Sequence, residues 1–229
     1  MVTSPDPSCP GQPLVGLSGA TKLYGPTVAI WRVDLWVFRG DAVGIVGGNG
    51  SGKTTLLRVV AGVLDLDAGL RRVADESALA RPRIALLGHR TGLYGDLSLR
   101  ENLRLVALAS HSRAGWRDEV LARLDLHEVA DLRVSTLSAG TRRRAGLARA
   151  LVSDPDLLIA DEPFSSVDAR HAEAMADAMR SWHASGGSLL VAGHDAATLL
   201  PVCVRLHRLS GGRLVSAVDS AAHTGRCSA

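Results

Sequence analysis

The chain has 229 residues, 46% of them hydrophobic, which is enough to bury one large core or one core with a small satellite subdomain. Its formal net charge is +3, with basic residues spread along the chain, so composition does not argue for a nucleic-acid partner. Cys9, Cys203 and Cys227 lie far apart with no metal-ligand spacing, which argues against a disulfide framework and for a reducing compartment.

Residues 1–12 are rich in Pro and Ser and read as disordered. They have neither the basic nor the apolar region of a signal peptide. Leu14–Ala20 and Ala29–Phe38 are predicted strands, the second with the Val/Trp/Leu alternation of a half-buried antiparallel strand. Asp41–Val46 ends in an apolar run that reads as a buried strand, and Thr54–Val63 reads as a helix. Between them lies Gly47-Gly48-Asn49-Gly50-Ser51-Gly52-Lys53-Thr54-Thr55, which fits G-x-x-x-x-G-K-[ST] in full. Strand, glycine loop and helix are the context that gives this motif its meaning. Consecutive backbone N–H groups converge on phosphates there, and the helix N-terminus adds partial positive charge. Lys53 is expected to reach the terminal phosphates and the Thr54 hydroxyl to hold Mg²⁺. The motif in this setting predicts that the chain binds a nucleoside triphosphate.

Arg83–Leu87 is another predicted buried strand. From Ser98 to about Ser153 the pattern is helical. Ser98-Leu99-Arg100-Glu101 is a capping box, followed by helices at Trp116–Leu124 and Thr141–Val152. Strand character returns at Asp156–Ala160, Ser188–Ala192 and Cys203–Leu209. Helix Ala169–Ser185 separates the first two, and its Ala172, Met175, Met179 and Trp182 stripe reads as core packing. Ser210-Gly211-Gly212 is a turn into a last short strand, and Ala221–Ala229 reads as a loose tail. No apolar run approaches the ~18–20 residues of a membrane span. The longest, Ser188–Val204, is broken by His194, Asp195 and Pro201, so any membrane role is expected to come through a partner. Strands alternating with helices predict an α/β core with a largely parallel sheet and a separate helical lobe.

Two further segments sharpen the chemistry. Leu137-Ser138-Ala139-Gly140-Thr141-Arg142-Arg143-Arg144 stands just before a helix, with Ser138 a plausible N-cap. Leu157-Leu158-Ile159-Ala160-Asp161-Glu162-Pro163 follows, an apolar strand ending in two acids. Asp161 at the strand tip can steady Mg²⁺, and Glu162 can polarise an attacking water. Arg142–Arg144, without interleaved aromatics, reads as a solvated or dimer-facing basic turn and not as a nucleic-acid site.

With these elements in this order, the chain resembles an ABC-type nucleotide-binding domain over residues 13–218. The resemblance implies a P-loop NTPase core with an antiparallel β subdomain and a helical subdomain inserted at about 90–153, leaving 219–229 as a flexible tail. It implies an ATPase that uses ATP and Mg²⁺. Tyr24 matches the adenine-stacking aromatic, and Gly47, Gly48, Asn49, Gly50, Ser51, Gly52, Lys53, Thr54 and Thr55 match the phosphate loop. Ser138 and Gly140 match the signature that covers ATP held by a second subunit. Asp161 and Glu162 match the Mg²⁺ and catalytic-base positions, Ser165-Ser166-Val167-Asp168 the loop that faces across the dimer, and His194 the switch histidine near the γ-phosphate. His89 stands where the family usually has a glutamine that senses Mg²⁺ and the permease, and LSAGT replaces LSGGQ. Those departures, with the arginines after the signature and Phe164 after Asp161-Glu162-Pro163, look like the ATPase of haem exporters in cytochrome c maturation. The alternatives are another exporter ATPase, for a drug, lipid or peptide, and a soluble ABC ATPase of DNA repair or translation. The implied partners are a second nucleotide-binding domain, in a homodimer or heterodimer, and a membrane-embedded permease. The permease would hold this chain at the cytoplasmic, inner face of the cell membrane.

Overall fold

A computed structural model describes residues 13–74, 82–110 and 115–219, with the side chains of 216–219 excepted. The disorder expected for residues 1–12, most of the expected tail, Cys9 and Cys227 lie outside the described residues. An antiparallel sheet comes first in the chain, from β1 (Val15–Tyr24), β2 (Thr27–Val37) and β4 (Ala68–Val73) in the order β2-β1-β4. The larger sheet has the order β5-β6-β7-β3-β8-β9. Its strands are β3 (Ala42–Val46), β5 (Ile84–Leu87), β6 (Leu157–Asp161), β7 (Ser188–Gly193), β8 (Arg205–Ser210) and β9 (Arg213–Asp219). All of its pairings are parallel except β8 with β9. The fold is thus the α/β combination of a parallel and an antiparallel sheet, and β9 takes in Asp219, which the tail was expected to include.

The apolar runs of β3, β6 and β7 follow from burial on both faces. Along β6, Leu157 and Ile159 turn toward a core built with Leu17, Ile30, Val33 and helix α1 (Lys53–Ala61). Leu158 and Ala160 turn to the other face, toward the remaining helices. These are α2 (Leu99–Ser110), α3 (Trp116–Arg123), α4 (Ala139–Val152), α5 (Ala169–Ala184) and the short α6 (Ala196–Leu199). Each fully buried Leu or Ile contributes roughly 1.5–3 kcal/mol. Leu103 of α2, Trp116 and Leu121 of α3 and Leu147 of α4 belong to that same second cluster, so the helical block is continuous with the sheet's helix-covered face. Met175, Met179 and Trp182 of the expected α5 stripe are buried in it, while Ala172 is half-buried.

Local chemistry sets the helix boundaries. At α2 the capping box is reciprocal: Glu101 N–H donates to Ser98 Oγ at 3.2 Å and Ser98 N–H to Glu101 Oε2 at 2.8 Å. Thr141 N–H donates to Ser138 Oγ at 3.1 Å, so α4 starts at Ala139, earlier than the apolar periodicity indicates. Arg142–Arg144, expected as a solvated or dimer-facing basic turn, lie within α4, where Arg142 is half-exposed and the other two are buried. Arg143 and Arg144 are only 7% and 8% exposed. Arg144 donates to the carbonyls of Leu124 and Asp125 at 2.9 and 2.8 Å, satisfying acceptors left open at the end of α3. Buried Cys203 has its thiol pushed up to about 12 by desolvation, so it stays protonated and unreactive at neutral pH.

Leu103 is fully buried where α2 meets the rest of the helical block. Leu103→Ala should destabilise the fold by about 2–5 kcal/mol, read as a lower urea midpoint at unchanged slope. A shift within about 0.5 kcal/mol, the size of a surface substitution, would contradict this packing.

Candidate nucleotide site

β6, β7 and β3 are neighbours in parallel register, so whatever follows their C-terminal ends is brought together. The glycine loop follows β3, Asp161 ends β6 and Glu162 follows it, and His194 follows β7. Gly47 N–H donates to the Gly193 carbonyl at 3.2 Å, and Glu162 N–H to the Ala192 carbonyl at 2.9 Å, which stitches the three ends together.

The loop needs its glycines for two reasons. Gly52 has φ of 104°, and a Cβ there would lie 2.2 Å from the Ala29 carbonyl oxygen of β2. A Cβ on Gly47 would lie 2.5 Å from the Leu209 carbonyl oxygen. Gly48, Asn49 and Gly50 face solvent, leaving the loop's outer side open to a ligand. Lys53, at the start of α1, is 5% exposed and donates to the Gly47 and Gly48 carbonyls at 2.8 and 3.0 Å. Its ammonium also lies 3.6 Å from Glu162 Oε1, and His194 Nε2 lies 2.9 Å from the same oxygen. Glu162 takes a φ of 50°, a left-handed conformation that costs a non-glycine residue roughly 1–2 kcal/mol. The carboxylate is thereby held between the Lys53 ammonium and the His194 imidazole, beside a cavity of about 230 Å³ lined by Pro163, Phe164, His194 and Asp195.

Thr54 Oγ1 donates to Asp161 Oδ2 at 2.7 Å. Asp161 Oδ1 and Ser51 Oγ are buried with no hydrogen-bond partner. An orphaned carboxylate oxygen beside a hydroxyl at the mouth of a phosphate loop fits a divalent cation. Among the described residues no group of three His, Cys, Asp or Glu side chains can hold a metal, so protein would supply only part of its coordination. That suits Mg²⁺ completed by phosphate oxygens and water.

The other residues singled out from sequence stand apart from this cluster. Tyr24 is 49% exposed and pairs with Thr27 across the β1–β2 hairpin, whose Ala29–Ile30 stretch runs against Gly52. Ser138, Ala139 and Gly140 form the exposed or half-exposed start of α4. Gly140 stands against Ser166 of the loop after β6, where an added Cβ would lie 3.1 Å from the Ser166 carbonyl. Among the described residues no hydrogen bond or ion pair joins Ser138 or Gly140 to the Gly47–Thr55 loop. His89 is exposed and lines a cavity of about 560 Å³ with Ala139, Arg142, Ser165 and Ser166. Among the described residues no hydrogen bond or ion pair joins it to Thr54 or Asp161. Asp67 escaped the sequence reading. Its carboxylate accepts from Leu23 N–H at 2.6 Å and from Lys22 Nζ at 3.0 Å, fixing the strand just before Tyr24. The Leu23 N–H bond, then the Lys22 ammonium, hold that carboxyl below the usual range.

Comparison with known proteins places this geometry. The sequence profile of the ABC transporter family matches residues 30–165. Daunorubicin resistance ATP-binding protein DrrA3 of Streptomyces coeruleorubidus is 35% identical over 211 residues, covering 88% of this chain and 67% of the relative. Nod factor export ATP-binding protein I of Paraburkholderia xenovorans is 34% identical over 204 residues, covering 85% of this chain and 67% of that one. Phosphonates import ATP-binding protein PhnC of Caulobacter vibrioides is 32% identical over 229 residues, covering 89% and 87%. Among solved structures, an ATP-binding subunit of an ABC transporter superposes with a TM-score of 0.80 at 25% identity, over 90% of each chain. The fold is shared as well with a dimeric cassette, MJ0796, bound to ADP and Pi, at a TM-score of 0.79 and 23% identity over 90% of this chain and 98% of that one. The chain belongs to the ABC transporter family, as an ATP-binding, ATP-hydrolysing subunit.

Asp161→Asn removes the negative charge from the orphaned oxygen while keeping its shape. Titrated calorimetrically, the variant should lose about 10–100-fold in Mg²⁺-dependent ATP affinity and little in affinity measured with EDTA. Equal losses with and without Mg²⁺ would remove Asp161 from the metal site.

Proposed function

We propose that this chain drives an exporter, working as a dimer of cassettes on a membrane-embedded permease supplied by another chain. The observation that carries the hydrolytic mechanism is the Glu162 carboxylate held between Lys53 and His194, beside the Thr54–Asp161 pair. In this reading Tyr24 stacks on adenine, and the N–H groups of the loop from Gly47 to Thr55 receive the phosphates. Lys53 leaves the Gly47 and Gly48 carbonyls for β- and γ-phosphate oxygens, which frees Glu162. Glu162 then accepts a proton from water as the water oxygen bonds to the γ-phosphorus. The bond from that phosphorus to the bridging oxygen breaks, and ADP and phosphate leave. His194 donates to a γ-phosphate oxygen and orients the Glu162 carboxylate. Thr54 and Asp161 would hold Mg²⁺, which would supply charge stabilisation at the β- and γ-phosphates.

Among the described residues no hydrogen bond or ion pair joins Ser138 or Gly140 to their own glycine loop, which supports a role over ATP bound by a second subunit. An ATP sandwiched between two subunits makes closure depend on nucleotide, and hydrolysis reopens it. His89, placed between the sheet and the helical block, is the residue through which the permease would sense that motion. Among the described residues no helix is long and apolar enough to cross a membrane, and attachment to the inner face of the membrane is assigned to the permease. The resistance and export names of the Streptomyces and Paraburkholderia relatives support export. The import name of the Caulobacter relative favours import as the second reading. The resemblance to haem exporters rests on short stretches around His89, Ser138 and Phe164, and none of those three relatives is named for haem. The support reaches export and stops short of haem as the substrate.

Glu162→Gln should keep ATP affinity while kcat falls by about 10²-fold or more, the usual contribution of a general base. Turnover at the parent rate would remove Glu162 from that role. For the composite site, Ser138→Arg subunits mixed with Lys53→Ala subunits should recover ATP hydrolysis that neither variant shows alone, because one intact site forms in the mixed dimer. No recovery at any mixing ratio, with mixed dimers present, would count against the shared site.

A further inference from the structure

We propose that Arg143 is a positioning residue for hydrolysis, setting the Glu162 turn and tying it to the segment that carries His89. This rests on the hydrolytic reading of Glu162 given above. The guanidinium enters from the second turn of α4 between the C-terminal ends of β5 and β6 and donates only to backbone carbonyls. Nη1 donates to Gly88 at 2.6 Å, Nε to Pro163 at 3.2 Å, and Nη2 to Glu162 at 2.9 Å and also to Asp161. One rigid, planar fork therefore holds three consecutive carbonyls across the turn of the catalytic acids and a fourth beside His89.

Two features bear on the role of this side chain, the first shared with Arg144 and the second its own. Among the described residues it has no carboxylate within ion-pair distance, although it is 7% exposed, so its charge is carried mainly by carbonyl dipoles. Burial lowers its pKa, and the more distant charges of Asp161 and Glu162 oppose that shift. The turn it holds also contains Glu162 at a φ of 50°, a conformation that neighbouring bonds must maintain. Glu162 N–H to the Ala192 carbonyl fixes one side of that residue, and its carbonyl side is fixed by Arg143 together with the Ser165 N–H, which donates to it at 3.1 Å. Rotation of the Glu162 peptide would swing the carboxylate away from His194 and Lys53.

The same face of α4 grips the His89 segment twice more. A Cβ on Gly146 would lie 2.8 Å from Thr91 Cγ2 and 3.0 Å from Leu87 Cδ1, so the helix axis approaches that segment closely. Arg149 donates to the Thr91 carbonyl at 2.8 Å and to the Leu86 carbonyl at 3.2 Å. Arg143, Gly146 and Arg149 are spaced by three along the helix and so share one face. The helix that begins with Ser138 is thus joined through Arg143 to the water-activating acid of its own subunit.

The test compares the full-length parent chain with Arg143→Met, Arg143→Lys, Glu162→Gln and the Arg143→Met/Glu162→Gln double variant, measuring Mg²⁺-ATP affinity and steady-state kcat. Met keeps the length and apolar stem but donates nothing, and Lys keeps the charge without the fork. Arg143→Met should lower kcat about tenfold or more with ATP affinity within about twofold, and Lys should recover only part of the rate. In the Glu162→Gln background, Arg143→Met should cost almost nothing further, because the group it positions no longer acts. A parent-like kcat in Arg143→Met, or a full additional loss in the double variant, overturns the proposal. So does a loss of affinity as large as the loss of rate, or unfolding of both single variants, since either assigns Arg143 to stability alone. A parent chain without ATPase activity, or a Glu162→Gln variant at the parent rate, instead overturns the hydrolytic reading and is recognised before any Arg143 result.

Discussion

The site depends on the parallel alignment of β6, β7 and β3. Parallel strands in register end at the same edge, and here those ends carry the Asp161-Glu162 turn, His194 and the phosphate loop. The alignment is enforced by burial on both faces, since Leu157 and Ile159 face one core while Leu158 and Ala160 face the other. A slip of one residue in β6 would exchange those sets and carry Asp161 away from Thr54. Placement of the acids is therefore a consequence of core packing, and loops alone do not determine it.

Within that frame, charge is balanced internally. Lys53, almost fully buried, donates to the Gly47 and Gly48 carbonyls and has Glu162 as its countercharge. A buried ammonium without such partners would be costly, and a triphosphate supplies the same kind of oxygen in greater number. In the proposed cycle, exchange of one set for the other would link nucleotide binding to the release of Glu162. The orphaned Asp161 Oδ1 is the complementary feature, an acceptor that protein leaves unsatisfied where a cation would sit.

Much of this was legible in the sequence because the physical demands are local. The glycines at 47 and 52 answer close backbone approaches, the Ser98–Glu101 box closes on itself, and strands covered on both faces must read as apolar runs. What stayed hidden depends on distant partners. β4 has an irregular, mostly exposed sequence and becomes a strand only by pairing with β1. α6 has four residues, too few to show a helical period. Three consecutive arginines suggest a solvated or dimer-facing turn, and only the folded positions of Leu124, Asp125, Gly88 and the Asp161–Pro163 carbonyls reveal that two of them are buried. Asp67 resembles any loop acid until Leu23 meets it. The haem-exporter likeness lies in local strings, whereas relatives matched over most of the chain are named for other cargo.

One chain holds the glycine loop, the Thr54–Asp161 pair and Glu162 together, while among the described residues no hydrogen bond or ion pair joins Ser138 or Gly140 to that loop. The account therefore makes a single subunit half of a working site. The measurement that tests this most directly is the ATPase rate per subunit as a function of protein concentration at saturating Mg²⁺-ATP. The rate per subunit should rise with concentration and level off as dimers form, in step with the dimer fraction seen by sedimentation. A rate per subunit that stays constant into the range where the protein is monomeric would contradict it.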